Sequence, residues 1–324
     1  MFWFKPRRPT VAQSSNTNPI ADRTAILLDG VEKHHLGLEI GPWHSPLVPK
    51  SAGYRSMSLD YVDEAELKRR AQTDPHISDE LVEKIEPVDF VGTADQMGAM
   101  VERAGLSGSF DYVISSHNLE HLPNPIKFLC DARQLLKPDG RLILAVPDKR
   151  MCFDYFKPIS TTADFIEAFL ENRDRPSAKQ VFSQTALFSR YDDQRQQLES
   201  FHLGLDPRHV RPTVDLETLK KSVEYFQRDI GRPDAPYYDV HCWTFTPASL
   251  ELLLKDLFVM ELMEFGVDSI SPTNGQEFYV HLSPATVDEA FRSEYQERRV
   301  ALLHRIQHDT AEYSATYWGV VGRG

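Results

Sequence analysis

The sequence predicts an α/β protein, an open, doubly wound parallel sheet carrying a helical insertion. An apolar strand, Leu36 to Ile40, ends in an acidic residue and a tight glycine turn, Glu39-Ile40-Gly41-Pro42. Three further strands end at Asp60, at Thr93-Ala94-Asp95 and at Ser115-Ser116-His117. Helical segments lie between them. Strands alternating with helices at this spacing form parallel βαβ units, whose strand ends line one nucleoside-binding crevice.

The elements follow in order. Residues 1–18 read as a flexible tail, in which basic residues follow Phe2-Trp3-Phe4 with no apolar core, so they make no secretory signal. Ile20 to Lys33 has helical spacing that weakens at Gly30, and Leu36 to Ile40 is the first strand. A Pro- and Gly-bearing loop leads to the second strand, Tyr54 to Leu59. Glu64 to Ala71 is a helix broken by Asp74-Pro75. Val88 to Val91 and Phe110 to Ser115 are the third and fourth strands. Pro125 to Leu136 is a helix stopped by Pro138-Asp139-Gly140, before the fifth strand, Arg141 to Val146.

The rhythm then breaks. Residues 149–240 carry many charges, no clear strand and helical stretches at Thr161 to Asn172, Ser177 to Phe188 and Leu216 to Ile230. It resumes at Thr246-Pro247-Ala248-Ser249, a helix start with proline in the first turn. Two late strands, Val259 to Gly266 and Glu277 to Leu282, are joined through Pro272-Thr273-Asn274-Gly275 as an antiparallel hairpin. From Thr286 the charged end reads as one long helix. The domain reading is therefore a core at 19–148, a helical cap at 149–240, the rest of the core with its closing hairpin at 241–284, and a C-terminal helix at 285–324.

Composition narrows the function classes. The chain has 324 residues, 41% of them hydrophobic, enough for a sizeable core. A net charge of −12 argues against a general nucleic-acid binder. Its 3 cysteines, Cys130, Cys152 and Cys242, form no C-x-x-C pair, which leaves neither a disulfide framework nor a thiolate zinc site. No apolar run approaches the roughly 20 residues that span a bilayer. The expectation is a cytoplasmic protein without integral membrane contact.

These motifs resemble the class I S-adenosylmethionine-dependent methyltransferases, whose Rossmann-like seven-stranded sheet has the order 3-2-1-4-5-7-6. Leu38-Glu39-Ile40-Gly41-Pro42 with Ser45-Pro46-Leu47-Val48-Pro49 looks like motif I of a bacterial, type 11-like subgroup. Phe110 to His121, with Leu136-Lys137-Pro138-Asp139-Gly140-Arg141-Leu142, is similar to the pattern FD-x-V … LEH-L … LKP-G-G-x-L. The resemblance implies S-adenosyl-L-methionine as cofactor and methylation, by O-transfer, of a small-molecule or saccharide acceptor. Two other classes stay open: an NAD-dependent sugar-modifying enzyme on a similar sheet, and a non-catalytic binding protein of this fold. The first needs a fuller glycine loop and a Tyr-x-x-x-Lys pair, which is absent. The second draws on Pro42, which removes an N–H donor and stiffens the turn.

The candidate cofactor residues are Glu39, Gly41, Pro42, Asp60, Ala94, Asp95, Ser116 and His117. A carboxylate at a strand tip attracts the cofactor's ammonium, and glycine lets backbone approach the ligand. Asp60 lies about twenty residues beyond Gly41, where a doubly wound fold sets an acid on ribose hydroxyls. Asp95 matches the family position that meets the adenine amino group. His117, Glu120 and His121 share one face if they form a helical turn, a set able to hold a divalent metal. An E-x-x-E-H version is associated with the ubiquinone-pathway O-methyltransferases, and His117 here replaces its first glutamate. The reading adopted has no metal, with Glu120 and His121 bracing the loop. Asp148 and His241, where the insertion leaves and rejoins the sheet, are the candidate catalytic residues. Histidine has a suitable unperturbed pKa for taking a hydroxyl proton.

Overall fold

A computed structural model describes residues 22–202, 205–232 and 234–318, with side chains to residue 309, so the expected tail at 1–18 lies outside the described residues. Five strands, β1 (Gly37–Ile40), β2 (Ser56–Asp60), β3 (Phe90–Val91), β4 (Phe110–Ser116) and β5 (Leu136–Pro147), pair in parallel. They alternate with α1 (Arg23–Leu27), α2 (Glu64–Thr73), α3 (Asp79–Val82), α4 (Met97–Arg103) and α5 (Pro125–Leu135) in chain order. The run Leu142-Ile143-Leu144-Ala145-Val146 is buried throughout, as expected of a strand covered on both faces.

The first helix is shorter than the predicted Ile20 to Lys33. Asp22 caps it, and the chain turns at Gly30, whose φ is +75°. The Pro138-Asp139-Gly140 stop does not end β5's pairing but bulges it. Leu136 pairs with Phe110 and Arg141 with Tyr112, so an excess of residues on β5 is looped out. At α5, Asn124 accepts the Lys127 N–H and Pro125 opens the helix, a cap readable in the sequence.

The insertion holds α6 (Thr162–Leu170), α7 (Ala178–Leu187) and α8 (Leu216–Asp229), as the helical spacing predicts. It also holds a small antiparallel sheet, which corrects the strandless reading. Strands β6 (Ser189–Asp192), β7 (Gln197–Leu198) and β8 (Val210–Pro212) are ordered β7-β6-β8. Each is too short and too charged to show an alternating pattern. Tyr191, Phe201 and Val210 give it a core of its own.

The sheet is completed by α9 (Pro247–Val259), β9 (Phe265–Ile270) and β10 (Glu277–Pro284), and α10 (Glu289–Trp318) follows. The sixth strand begins later than the predicted Val259. Leu250, Leu253, Leu254, Leu257 and Phe258 are all buried on α9, which runs on to Val259 before Glu261, at φ +58°, turns the chain. β10 pairs antiparallel with both β5 and β9, and the order β3-β2-β1-β4-β5-β10-β9 is the predicted 3-2-1-4-5-7-6 arrangement. The main core fills the side of the sheet holding α4, α5, α6 and α9, while Leu27, Val48, Tyr112, Ile143 and Tyr279 pack the other.

Candidate functional site

The carboxyl ends of β1, β2 and β4 make the crevice. Gly41 leaves β1 with a φ of +65°, is exposed, and has no atom within 4 Å of where a Cβ would sit. That left-handed turn suits glycine and leaves its backbone open to a ligand. Pro42 accepts the Ser45 N–H at 3.0 Å, and Trp43, at φ 45°, completes a tight turn. Glu39 is buried beside this turn. Its oxygens accept the Leu47 N–H at 2.8 and 3.1 Å and the Val48 N–H at 3.2 Å, so it shapes the loop behind the turn. Burial pushes its pKa up to about 7, against the pull of the two amides and of Arg23.

Asp60 ends β2, buried, with one oxygen accepting the Tyr61 N–H at 2.8 Å. Ala94 is buried and Asp95 half-buried at the start of a single 3-10 turn, Ala94–Gln96. The Lys127 ammonium donates to the Asp95 carbonyl at 2.5 Å. Residues 237–241, returning from the insertion, pass close to both edges: Asp239 acts electrostatically on Tyr61, and Asp95 on Tyr237.

At the end of β4 the Ser116 hydroxyl accepts from Arg23 at 2.6 Å. His117 stands at φ 51°, a strained conformation for a histidine. Its Nε2 meets Glu277 at 2.7 Å, and its Nδ1 lies 3.4 Å from Glu120. Burial works to lower the His117 pKa, but these carboxylates outweigh it and raise it to about 9. Glu277, which opens β10, also receives Arg23 at 2.6 Å. Burial acts to raise its pKa, yet the two cations hold it down at about 2.

Beyond this lies a second cluster. His241 Nδ1 is 2.5 Å from Asp154, which Lys157 also contacts at 2.7 Å. The His241 Nε2 lies 4.0 Å from Glu120. The His121 ring packs edge-on against His241 with centroids 4.6 Å apart, and its Nδ1 meets Asp239 at 2.8 Å. Burial lowers the His241 pKa against the attraction of Asp154. Asp148 does not join this group. It is fully buried and accepts from Arg150 at 2.6 to 3.2 Å and from Thr273 at 2.5 Å. The positions gathered at the crevice are thus Gly41, Asp60, Ala94, Asp95, Ser116 and His117, with His241 at its far end.

Sequence reasoning missed Arg23, Asp154, Asp239 and Glu277. Two left a signal: Asp154 interrupts the apolar run from Met151 to Phe156, and Glu277 opens the apolar strand Phe278-Tyr279-Val280. A charge inside such a run needs a buried partner.

An open α/β sheet with an acid closing its second strand and an exposed glycine turn closing its first defines a nucleoside-cofactor enzyme class. A family model described as a methyltransferase domain matches residues 35–257, and the chain belongs to that family, within the class I S-adenosylmethionine-dependent methyltransferases. Its cofactor is S-adenosyl-L-methionine. The open turn at Gly41 and the buried carboxylates of Glu39 and Asp60 at the strand ends fit such a cofactor. No curated protein matches the sequence. Among solved structures, a SAM-dependent methyltransferase from Methanosarcina mazei is 15% identical, over 81% of this chain and 98% of that one, with a TM-score of 0.40. A protein from Pyrococcus horikoshii is 16% identical over 82% and 93%, with a TM-score of 0.38. A 1,6-didemethyltoxoflavin N1-methyltransferase from Burkholderia thailandensis is 15% identical over 82% and 76%, with a TM-score of 0.36. No helix among the described residues is long and apolar enough to cross a membrane.

Proposed function

We propose that this protein, a type 11-like member of its superfamily, transfers a methyl group to a hydroxyl of a soluble small-molecule or saccharide acceptor in the cytoplasm. The observation that supports this most is the Asp154–His241 pair at the acceptor end of the crevice. Bound cofactor supplies a methyl group activated by its sulfonium. An acceptor hydroxyl attacking that methyl must shed its proton, and orientation supplies much of the rate. His241 is the proposed base. Asp154 fixes its Nδ1 as the protonated nitrogen and leaves Nε2 to take the proton. A depressed pKa keeps the ring neutral, as a base requires.

In the cofactor crevice, Asp60 is proposed to hold the ribose hydroxyls and Asp95 the adenine amino group, while Ala94 and His117 flank the nucleoside. Gly41 and Pro42 form the turn under the methionine end, and Glu39 and Ser116 hold that turn and Arg23 in place. Asp148, the second catalytic candidate, is proposed to act by anchoring Arg150 and Thr273 at the cap junction. Residues 149–240 are proposed to cover the acceptor and exclude water.

The test compares turnover with cofactor affinity in His241→Ala, using radiolabelled cofactor against a panel of sugars, sugar nucleotides and phenols. The expected result is a rate loss of roughly 10²–10⁴-fold with cofactor binding unchanged. Equal loss of both would make His241 a structural residue.

A further inference from the structure

Glu120 is the most costly side chain of the crevice. Its exposure is 0%, and neither carboxylate oxygen has a hydrogen-bond partner in the described structure. Its nearest charged neighbour is the His117 imidazolium, whose Nδ1 lies 3.4 Å away and whose Nε2 meets Glu277, so a single cation is shared between two carboxylates. A buried carboxylate without donors is strongly unfavourable unless a cation completes its surroundings.

Two imidazoles stand where such a cation would be shared. One ligand atom each from Glu120, His121 and His241 lies within 4.8 Å of the others. Both rings are oriented the same way: His121 Nδ1 is tied to Asp239 and His241 Nδ1 to Asp154, which leaves Nε2 of each as the remaining donor. A carboxylate behind the far nitrogen is the arrangement that fixes the tautomer and raises the basicity of a metal-binding histidine. Metal bonds of 2.0–2.2 Å place tetrahedral donors about 3.4 Å apart, so the set has to contract by about an ångström. Glu120, Asp154 and Asp239 supply three negative charges against Lys157 and the His117 imidazolium that Glu120 shares with Glu277, which leaves the cluster net negative and suits a cation. His121, with 21% of its side chain exposed, gives the ion a way in from solvent.

We propose that Glu120, His121 and His241 form a three-ligand site for a divalent first-row transition metal ion, with Asp154 and Asp239 as the carboxylates that orient the two imidazoles. Two nitrogens and one carboxylate oxygen suit such an ion, and three protein ligands leave positions open. His117 is not a ligand, because Glu277 holds it. The site deepens the proposed function and rests on that reading only for its consequence: with the ion in place His241 Nε2 is a ligand and no longer takes the proton, and an acceptor hydroxyl held at an open position is acidified by the ion and releases its proton to solvent.

The experiment reads metal binding and needs no turnover, so its outcome is separate from that of the methyl-transfer reading. Tag-free full-length protein is stripped with a chelator and titrated with Co²⁺, followed by visible absorption, then challenged with Zn²⁺. One Co²⁺ per chain is expected, with a visible band that Zn²⁺ removes. His121→Ala and His241→Ala should weaken binding more than 100-fold, and Asp154→Asn by about 10–100-fold. Glu120→Gln, an isosteric change that removes the carboxylate ligand, should abolish the band, with the far-ultraviolet circular dichroism of the apoprotein unchanged. The exposed group Glu32, His34 and His35 is the competing site among the described residues. Binding lost in His34→Ala/His35→Ala but kept in His241→Ala would overturn the proposal, as would wild-type protein that takes up no Co²⁺.

Discussion

Replacing Glu39 by glutamine should change how stability depends on pH, and the size of the effect follows from its burial. In the unfolded chain this carboxyl titrates at 4.5, and in the folded protein at about 7. A carboxyl raised in this way favours folding most when protonated. Its contribution is complete below 4.5 and is lost as pH rises through about 7. At about 1.4 kcal/mol per pH unit, that loss is about 3.5 kcal/mol. Glutamine cannot ionise, so the wild type should lose most of this amount relative to Glu39→Gln between pH 5 and pH 8. Urea unfolding of both proteins, followed by tryptophan fluorescence across that range, isolates the effect from all other titrating groups. On the proposed placement of the methionine end at the Gly41 turn, bound cofactor would bring an ammonium toward the same loop and favour the ionised form. S-adenosylhomocysteine should therefore bind the wild type more tightly as pH rises, with release of a proton seen by calorimetry in two buffers. A wild-type-to-variant difference that stays flat with pH would refute the reasoning.

S-adenosylhomocysteine should raise the melting temperature and NAD should leave it unchanged, since only a ligand of the native state stabilises it. Asp60→Ala should weaken S-adenosylhomocysteine binding by roughly 1.5–3 kcal/mol, the range for a charged hydrogen bond left unmade. Unchanged affinity by calorimetry would remove Asp60 from the ribose site. Glu277→Gln leaves His117 and Arg23 without their shared anion and should cost roughly 3 kcal/mol at pH 7. Because the Glu277 pKa is held down at about 2, that cost should persist until the pH falls below 4.5. In Gly37→Ala the new methyl would sit 2.0 Å from the buried Tyr112 ring, so a loss of several kcal/mol is expected. Tyr112→Leu should restore part of it, and a stable Gly37→Ala single variant would contradict the packing.

The sheet was legible because its strands are short apolar runs ended by turn residues, and each depends on nearby sequence. The hairpin signal at Asn274-Gly275 predicted that β9 and β10 pair, whereas the order placing Glu277 beside Pro147 came from the resemblance to the class I methyltransferases. The position of β9 was less legible, because Val259 suits a helix face and a strand equally and only burial against the sheet decides between them. The site was half legible. Asp60 and Gly41 are marked by strand ends, but Glu120 meets His241 across 121 positions of chain, and Asp154 meets His241 across 87. No local pattern records such a meeting. The small sheet around Tyr191 was hidden for a related reason: its strands are defined by each other rather than by their own sequence.

The insertion leaves and re-enters the sheet through a single doorway. Asp148 pairs with Phe245, and the Lys149 N–H donates to the Phe245 carbonyl at 2.8 Å. A segment whose ends meet can be exchanged at little cost in chain closure. The far post of the doorway is less replaceable. Trp243 donates its backbone N–H to the Glu120 main-chain carbonyl at 3.2 Å and its indole N–H to the Leu122 carbonyl at 2.5 Å, which stitches the returning chain to the loop after β4. Exchange is not free throughout, because Gln184 accepts the His241 backbone N–H at 3.3 Å and Gln180 donates to the Cys242 carbonyl at 3.1 Å, so α7 is tied to the returning chain. The stretches of the insertion with no such tie, α8 above all, are where its length and shape can change at least cost.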